Sequence, residues 1–516
     1  MSVRTLLFQP ATLAFSVLCA LATGGCGDDI VFVDREPFNP PPDAASGFLG
    51  YFDASTKQTT CGNCHADFQA RWKETAHASA WSTLQANSAK QASCNGCHTV
   101  SEQGNAVSTE AGYNKVADSA YHDVQCESCH GPGLEHVQGV GQGQLVRPLA
   151  KISMEGGASC GECHSGVHQP FVEEWSQSAH GGFIASPAGR SPCNTCHDGR
   201  ATLLAWGVES NYIERDQANA FQPVTCAVCH NPHGSSNSKQ LRFSITSPDP
   251  ALNLCMKCHL RRDEPEDNRP TPHGAQGGVL LGQAGYRPAI YFEYDTARVF
   301  GTHATDRNPR LCAGCHVGRF TVTDPASGNL VFQATGHLFR PIPCLDAEGK
   351  PTADETCAYT ATARSWQTCT NSGCHGNAAA AANVFNGARN RLEALAAVIW
   401  VDTDGDQSVE ATDQGYLAIL KATQPGEWGA NQKVTPAEGG EFNVKLCGPG
   451  RYENGDGSSG AHNIFLCEAL LRASTNELKA VYALPAPPAQ VQELLSRPLA
   501  GRNAGAVHVS RTSVWR

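Results

Sequence analysis

The pentapeptide CESCH at residues 126–130 decides the fold, because the same Cys-x-x-Cys-His pattern occurs eight times. The other copies are CGNCH at 61–65, CNGCH at 94–98, CGECH at 160–164, CNTCH at 193–197, CAVCH at 226–230, CMKCH at 255–259 and CAGCH at 312–316. Six of the seven intervals between copies lie between 29 and 34 residues. A ninth variant, Cys369 to His375, has four residues between its thiols. A repeat of this kind is expected to organise the whole chain.

Two thiols separated by two residues can each form a thioether with a haem vinyl group, and the next residue can then place an imidazole on the iron. A zinc ribbon would not require His after every second Cys, and a redox dithiol would occur once, within alternating strands and helices. We therefore predict haem c at the eight motifs and at the variant. The predicted attachment residues are Cys61, Cys64, Cys94, Cys97, Cys126, Cys129, Cys160, Cys163, Cys193, Cys196, Cys226, Cys229, Cys255, Cys258, Cys312, Cys315, Cys369 and Cys374.

Each motif also supplies a proximal iron ligand. These are His65, His98, His130, His164, His197, His230, His259, His316 and His375. Of the 20 His, eleven then remain, and Met1, Met154 and Met256 are the only Met. We therefore predict bis-histidine ligation at nearly all sites, which leaves no iron position for substrate. The predicted distal ligands are His77, His122, His136, His180, His233, His273, His303, His337 and His462.

Local sequence refines this set of distal ligands. His77 and His180 each follow a Trp by five residues, so we expect equivalent positions in two copies of one unit. His168 and His508 are not assigned as ligands. The acidic pair Glu173 and Glu174 is interpreted as solvated surface.

Composition and charge exclude some classes of protein. The 516 residues include 51 Gly and 30 Pro but only 7% aromatic residues, which argues against an ordinary apolar core. The formal charge of −11 argues against nucleic acid as a partner.

Residues 1–25 are interpreted as an export signal, because an apolar run at 5–22 follows Arg4. Cleavage before Cys26 would leave a thiol for lipidation, with residues 26–58 as a tether to a membrane surface. Cleavage after Ala22 would instead release a soluble protein. Both alternatives place the mature chain in an oxidising compartment. We favour an outer-membrane or cell-surface lipoprotein over a periplasmic or extracellular protein without an anchor.

The composition changes after the ninth motif. Residues 377–400 are Ala-rich with apolar side chains at helical spacing, which predicts one amphipathic helix in a small C-terminal helical segment, 377–470. The loop that follows resembles the calcium loop of dockerin-type repeats, although Gln407 stands where Gly is usual. An acidic exposed turn is the alternative. The predicted calcium ligands are Asp402, Asp404, Asp406 and Asp413.

Four further Cys are expected to form disulfides. Pairing Cys344 with Cys357 and Cys447 with Cys467 gives the shortest loops among three connectivities. Residues 471–516 are expected to form a loosely packed tail.

The segments CESCHGPGLEH and CAVCHNPHG resemble the multihaem cytochromes related to the tetrahaem cytochrome c554 and the doubled Cys-x-x-Cys-His proteins, over residues 59–376. The resemblance implies a mostly irregular fold of short α-helices around a stacked chain of haems, with little β-sheet. It also implies that proximal and distal His interleave in sequence. Catalytic members of the family keep one five-coordinate haem.

Three functions remain open. We favour electron transfer in periplasmic or extracellular respiration, with redox partner proteins or other multihaem cytochromes, and no substrate chemistry of its own. The second is an oxidoreductase of a small nitrogen or sulfur compound with one open haem face. The third is a homo-oligomeric subunit of an extracellular cytochrome filament.

Overall fold

The computed structural model describes residues 40–143, 145–154, 159–166, 169–208, 221–294, 302–304, 306–324, 326–371, 374–452 and 454–498. The predicted export signal and Cys26 lie outside the described residues, as do His168 and His508. The chain divides into two units, Met1–Pro41 and Pro42–Arg516, and only residues 40 and 41 of the first are described.

The region that carries the nine motifs consists of short helices joined by turns and irregular backbone. Its α-helices are α1 (Ala66–Lys73), α2 (Ala80–Ala86), α3 (Tyr113–Val116), α4 (Glu127–His130), α5 (Leu134–Gly139), α6 (Cys160–Cys163), α7 (Phe171–Ser176), α8 (Ala185–Ala188), α9 (Asn194–His197), α10 (Gly199–Ala205), α11 (Cys226–Cys229), α12 (Gln276–Leu280), α13 (Cys312–His316) and α14 (Gln367–Thr370). Its 3-10 turns are Cys61–Asn63, Ala76–Ser79, Ala92–Cys94, Gly96–His98, Ser119–Tyr121, Ser238–Gln240, Cys255–Lys257 and Thr302–Ala304.

Extended structure is limited to two small antiparallel sheets in the described residues. One pairs β1 (Tyr51–Asp53) with β2 (Gln58–Thr59), and the other pairs β3 (Phe320–Thr323) with β4 (Leu330–Ala334). The predicted mostly irregular and helical fold with little sheet is therefore confirmed.

Longer helices follow the ninth motif. They are α15 (Ala378–Ile399), α16 (Tyr416–Thr423), α17 (Pro436–Cys447), α18 (Ile464–Val481) and α19 (Ala489–Ser496), with a 3-10 turn at Pro425–Glu427. The predicted helix at 377–400 is confirmed as α15, and the side chain of Asn377 caps it by accepting the N–H of Ala380 at 2.9 Å. Apolar side chains of the five helices form one buried core.

Two predicted boundaries need correction. The tail expected from residue 471 instead contains the end of α18 and all of α19, and Leu471, Leu478 and Leu494 lie in the C-terminal core. The Pro-rich stretch at 485–488 joins two helices, so it does not begin a tail. The expected tether is also partly packed, because Phe48 is fully buried among apolar side chains of residues 100–121.

No helix in the described ranges combines the length and the apolar character that crossing a membrane requires.

Candidate functional site

Most of the predicted attachment motifs fold into one tight turn. In the first, the N–H of His65 donates to the carbonyl of Cys61 at 2.9 Å. The same bond closes the motifs at 126–130, 160–164, 193–197, 226–230 and 255–259. In the longer ninth motif the N–H of His375 donates to the carbonyl of Cys369 at 3.3 Å. The variant spacing therefore closes onto the same kind of bond.

The imidazoles of the motifs face imidazoles from elsewhere in the chain. Eight pairs of His rings have centroids 6.0–6.5 Å apart, and each pair joins one motif His to one predicted distal His. The pairs are His65–His136, His164–His77, His130–His233, His259–His180, His197–His273, His230–His337, His375–His303 and His316–His462. Random crowding would also pair motif His with each other, which is not found among the described residues.

The spacing of these pairs fits a metal ion between the rings. Two metal–nitrogen bonds of about 2 Å each, plus about 1 Å from each nitrogen to its ring centre, add up to about 6 Å. Rings in direct contact lie closer, as the imidazole of His122 does on the indole of Trp81, with centroids 4.1 Å apart. The paired imidazoles and the adjacent thiols therefore suit haem with two axial His.

Hydrogen bonds at Nδ1 prepare the rings for this role. Nδ1 of His130 lies 2.7 Å from the carbonyl oxygen of Pro148, and Nδ1 of His316 lies 2.8 Å from that of Phe339. A carbonyl at Nδ1 places the proton there and leaves Nε2 as the metal-binding nitrogen. The same arrangement occurs at His136, His230 and His303.

Burial keeps most of these rings neutral. Burial and the nearby imidazole of His164 lower the pKa of His77 to about 4. Burial is also the main cause that lowers the pKa of four others to about 4, namely His180, His233, His316 and His337. A ring that is neutral at pH 7 has a free lone pair for a metal. At His462 burial lowers the pKa, but the carboxylate of Asp456 outweighs it and the net pKa is raised.

The expected duplication of a Trp-x4-His unit is visible in the backbone contacts. The indole N–H of each Trp donates to a carbonyl two residues before a later motif: Trp72 to Val124 at 2.9 Å, and Trp175 to Val224 at 2.8 Å. His77 and His180 follow these anchors, and each faces a proximal His three motifs further along the chain. The two copies of the unit thus share both the Trp hydrogen bond and the long-range pairing of their His.

The second motif differs from the other eight. Nδ1 of His98 lies 2.9 Å from the carbonyl oxygen of Ala80, but no second imidazole lies 6.0–6.5 Å from its ring within the described part of the chain. His122, a predicted distal ligand, stacks instead on Trp81. Tyr113 completes the cluster, with its ring centroid 4.9 Å from that of Trp81.

Sulfur atoms of different motifs also adjoin. Five pairs of thiols lie close enough to shift each other's pKa, and each pair joins two motifs. They are Cys61–Cys126, Cys97–Cys163, Cys160–Cys226, Cys196–Cys258 and Cys255–Cys312. Longer-range electrostatic interactions between thiols connect the third motif with the fourth, the sixth with the seventh and the eighth with the ninth. The nine motifs thus form one connected network.

The cysteines outside the motifs are partly paired. The predicted disulfide Cys344–Cys357 is confirmed, with Cα atoms 6.0 Å apart. Cys447 and Cys467 are both buried and are free thiols in this structure, so their disulfide stays a prediction.

Three of the four predicted calcium ligands converge. Asp402, Asp404 and Asp413 each place a carboxylate oxygen within 4.8 Å of the others, and Asp406 is not part of this group. Gln407, at the usual Gly position, takes the left-handed conformation with φ 64° that Gly would provide there.

Two acidic residues escaped the sequence interpretation. Glu174 is buried rather than solvated, and it accepts hydrogen bonds from the N–H and hydroxyl of Thr335 and from the N–H of His337. Asp456 contacts Nδ1 of His462. Glu174 has no local sequence signal, since its partners lie more than 160 residues away. For Asp456 the sequence offers a weak signal, the turn-forming stretch DGSSG that precedes His462.

Comparisons with known proteins agree with this geometry. The family model for cytochrome c554 and c-prime matches residues 60–131, and the doubled CXXCH motif matches residues 220–264. The C-type polyheme cytochrome OmcB of Geobacter sulfurreducens is 23% identical over 282 residues, which cover 50% of this chain and 35% of OmcB. The multiheme cytochrome MtrA of Shewanella baltica is 26% identical over 194 residues, which cover 34% of this chain and 54% of MtrA. No solved structure matches.

Proposed function

We propose that this chain, a member of the multihaem c-type cytochrome family, transfers electrons through nine covalently bound haems, most of them held between two imidazoles. The observation that carries the proposal is the pairing of eight motif imidazoles with eight others at 6.0–6.5 Å. With both axial positions filled by protein, such a centre has no site for substrate and exchanges only electrons.

Haem would supply the one-electron chemistry. The chain would attach each haem, ligate its iron and fix the order of the haems along a route. The thiol contacts support a route through the first, third, fourth, sixth, seventh, eighth and ninth motifs. The second motif would branch from the fourth, because the thiols of Cys97 and Cys163 shift each other's pKa. The fifth would branch from the seventh, because those of Cys196 and Cys258 do the same.

Intact mass and visible spectroscopy of the protein from a host that matures c-type cytochromes test this function. We expect nine haem masses and a low-spin spectrum. Replacing both Cys369 and Cys374 by Ala should remove one haem, and the same double change at Cys344 and Cys357 should remove none. A colourless protein would contradict the proposal.

We further propose that the chain is exported and exchanges electrons with redox proteins or other multihaem cytochromes at a membrane surface. The apolar run at 5–22 and Cys26 support a lipid anchor. Cys26→Ser should move the protein from the membrane fraction to the soluble fraction with its haems intact. A wild-type protein that is already soluble would favour cleavage after Ala22.

A second candidate function is the reduction or oxidation of a small nitrogen or sulfur compound at the second motif. His98 has no facing imidazole among the described residues, and its Nδ1 meets the carbonyl oxygen of Ala80. An open haem face at this motif would leave an iron position for a small molecule.

Carbon monoxide added to the reduced protein separates the two candidates. A fully bis-histidine protein should show no spectral shift, whereas an open face should bind the gas. His122→Ala and His168→Ala are matched variants, because whichever residue supplies a sixth ligand should expose a new binding site when removed. A wild-type protein that shows no shift, with a variant that does, would rule out the catalytic candidate.

For the acidic loop we propose a structural calcium ion. The convergence of the Asp402, Asp404 and Asp413 carboxylate oxygens supports it. An ion that binds only the folded state at 100 times its Kd would add about 2.7 kcal/mol to the free energy of unfolding.

The measurement is the melting temperature with calcium and with a chelator. We expect calcium to raise it in the wild type and not in Asp404→Asn. Asp354→Asn, an exposed aspartate elsewhere, is the control and should respond as the wild type does. Equal melting temperatures with calcium and chelator in the wild type would show that the loop is only an acidic turn.

A further inference from the structure

One of the paired imidazoles faces a different kind of group from the rest. Nδ1 of His462 lies 2.5 Å from the carboxylate oxygen Oδ1 of Asp456. Eight other imidazoles have an Nδ1 partner among the described residues, and each partner is neutral: a backbone carbonyl, the Gln169 amide oxygen or the Thr335 hydroxyl. The His462 ring, which lies opposite His316, is therefore the one whose Nδ1 faces a negatively charged carboxylate. Its Nε2 remains for the metal.

Asp456 is held firmly in this position. Its side chain is 1% exposed, and its backbone N–H donates to the carbonyl of Leu446 at 3.0 Å, near the end of α17. Gly455 allows this approach, because a Cβ there would collide with the carbonyl oxygen of Lys445. The hydroxyl of Ser458 donates to the other carboxylate oxygen, Oδ2. One oxygen is thus bound by Ser458 and the other remains for His462.

We propose that Asp456 is a positioning residue that gives the His462 imidazole partial imidazolate character, so that the haem between His316 and His462 has a lower reduction potential than those whose imidazoles face neutral acceptors. The inference rests on the proposed electron-transfer function. A carboxylate that shares the Nδ1 proton increases the basicity of Nε2, which stabilises the oxidised iron over the reduced iron. Because Asp456 is buried, its negative charge is poorly screened and adds to the same effect.

The position of this centre gives the effect a consequence for electron flow. The eighth motif lies between the seventh and the ninth in the thiol network. The same loop also offers the carbonyl of Ala461 to Nδ1 of His303 at 2.5 Å, so the next centre along the route faces a neutral acceptor. A lower reduction potential at the eighth centre raises the free energy of an electron there. An electron that passes between the seventh and ninth centres must then cross an intermediate of higher free energy.

The test is a spectroelectrochemical titration of the haem-loaded full chain. Asp456→Asn keeps a similar shape and removes the charge, so about one haem in nine should titrate at a more positive potential. Ser458→Ala should shift the same haem in the opposite direction, because the carboxylate then concentrates its charge on His462. Asp43→Asn is the matched control: Asp43 is a buried carboxylate, 2% exposed, that pairs with Lys115 rather than with an imidazole.

Electron paramagnetic resonance of the oxidised protein gives a second readout, since partial imidazolate ligation should alter the signal of one low-spin haem in Asp456→Asn and leave the others unchanged. Potentials equal to those of the Asp43→Asn control, or shifts of one sign in both variants, would overturn the inference. If Asp456→Asn does not fold, Ser458→Ala decides alone. A wild-type protein without haem would instead reject the proposed function.

Discussion

The haem-motif region, residues 42–376, and the C-terminal helices, residues 377–498, bury apolar side chains in different ways. In the haem-motif region the buried apolar residues form small separate clusters, such as Tyr51 with Trp72 and Ala78. In the C-terminal helices a single core extends through α15 to α19. Clusters of this size contribute little hydrophobic free energy. We therefore expect the haem-motif region, but not the C-terminal helices, to need attached cofactors for its cohesion.

The two regions are nevertheless in contact, and the contact serves the candidate site. Val279 of α12 is part of the C-terminal core. The side chain of Asn443 on α17 accepts the N–H of Tyr286 and donates to its carbonyl, both at 2.8 Å. The loop before α18 places His462 opposite His316. The C-terminal helices thus position His462, the predicted second ligand of the eighth centre.

The largest effect should come from withholding haem. In a host that cannot attach haem, we expect the haem-motif region to stay unfolded, because its small clusters cannot offset the entropy of ordering about 300 residues. The C-terminal helices should keep their α-helical structure. Limited proteolysis with mass spectrometry should find cleavage before residue 377 and a resistant C-terminal fragment. Resistance of both regions would contradict the comparison.

A smaller loss should follow from a cavity in the C-terminal core. Leu392 is fully buried, so Leu392→Ala should lower the free energy of unfolding by about 2–5 kcal/mol. Chemical denaturation followed by circular dichroism at helical wavelengths measures it. Val384→Ala on the same helix is the control, since Val384 is 60% exposed and should change the free energy by less than about 0.5 kcal/mol. Equal effects would mean that α15 is not packed as described.

Local sequence could predict some parts of this molecule. The motif turns follow from spacing within five residues, and α15 follows from apolar spacing and a capping Asn377. The pairing of one imidazole with another could not be predicted, because His77 and His164 are joined only by the fold. The buried role of Glu174 depends on Thr335, which is 161 residues away.

The error at residue 471 has a different cause. The Pro residues at 485–488 suggested a tail, but they form a connector, and Tyr416 donates its hydroxyl to the carbonyl of Pro485 at 2.6 Å. Proline marks the end of a helix without telling whether another one packs after it.

Within the haem-motif region, removing one buried carboxylate should lower the free energy of unfolding by less than removing a core leucine side chain does. It should lower it by more than the loss of one hydrogen bond. Glu127 accepts the backbone N–H groups of Leu49, Gly50 and Gly133. Glu127→Ala leaves these buried donors without their acceptor and should cost about 1–3 kcal/mol, measured by denaturation of the haem-loaded protein. Glu135→Ala, at an exposed site of α5, is the control and should be nearly neutral. A neutral Glu127→Ala would show that haem attachment alone holds the N-terminal segment.

The smallest expected effect tests whether the duplicated units of the haem-motif region are equivalent. Trp72→Phe and Trp175→Phe each remove one indole hydrogen bond, to Val124 and to Val224, and should each cost about 0.5–1.5 kcal/mol. Hydrogen exchange at the backbone amides of His77 and His180 should rise by similar factors, because each His lies five residues after its anchoring Trp. Strongly unequal changes would mean that the two copies are similar in sequence but that their Trp hydrogen bonds do not stabilise the fold equally. Equal changes would support a region assembled from repeated local anchors, each weak alone, in contrast to the single core of the C-terminal helices.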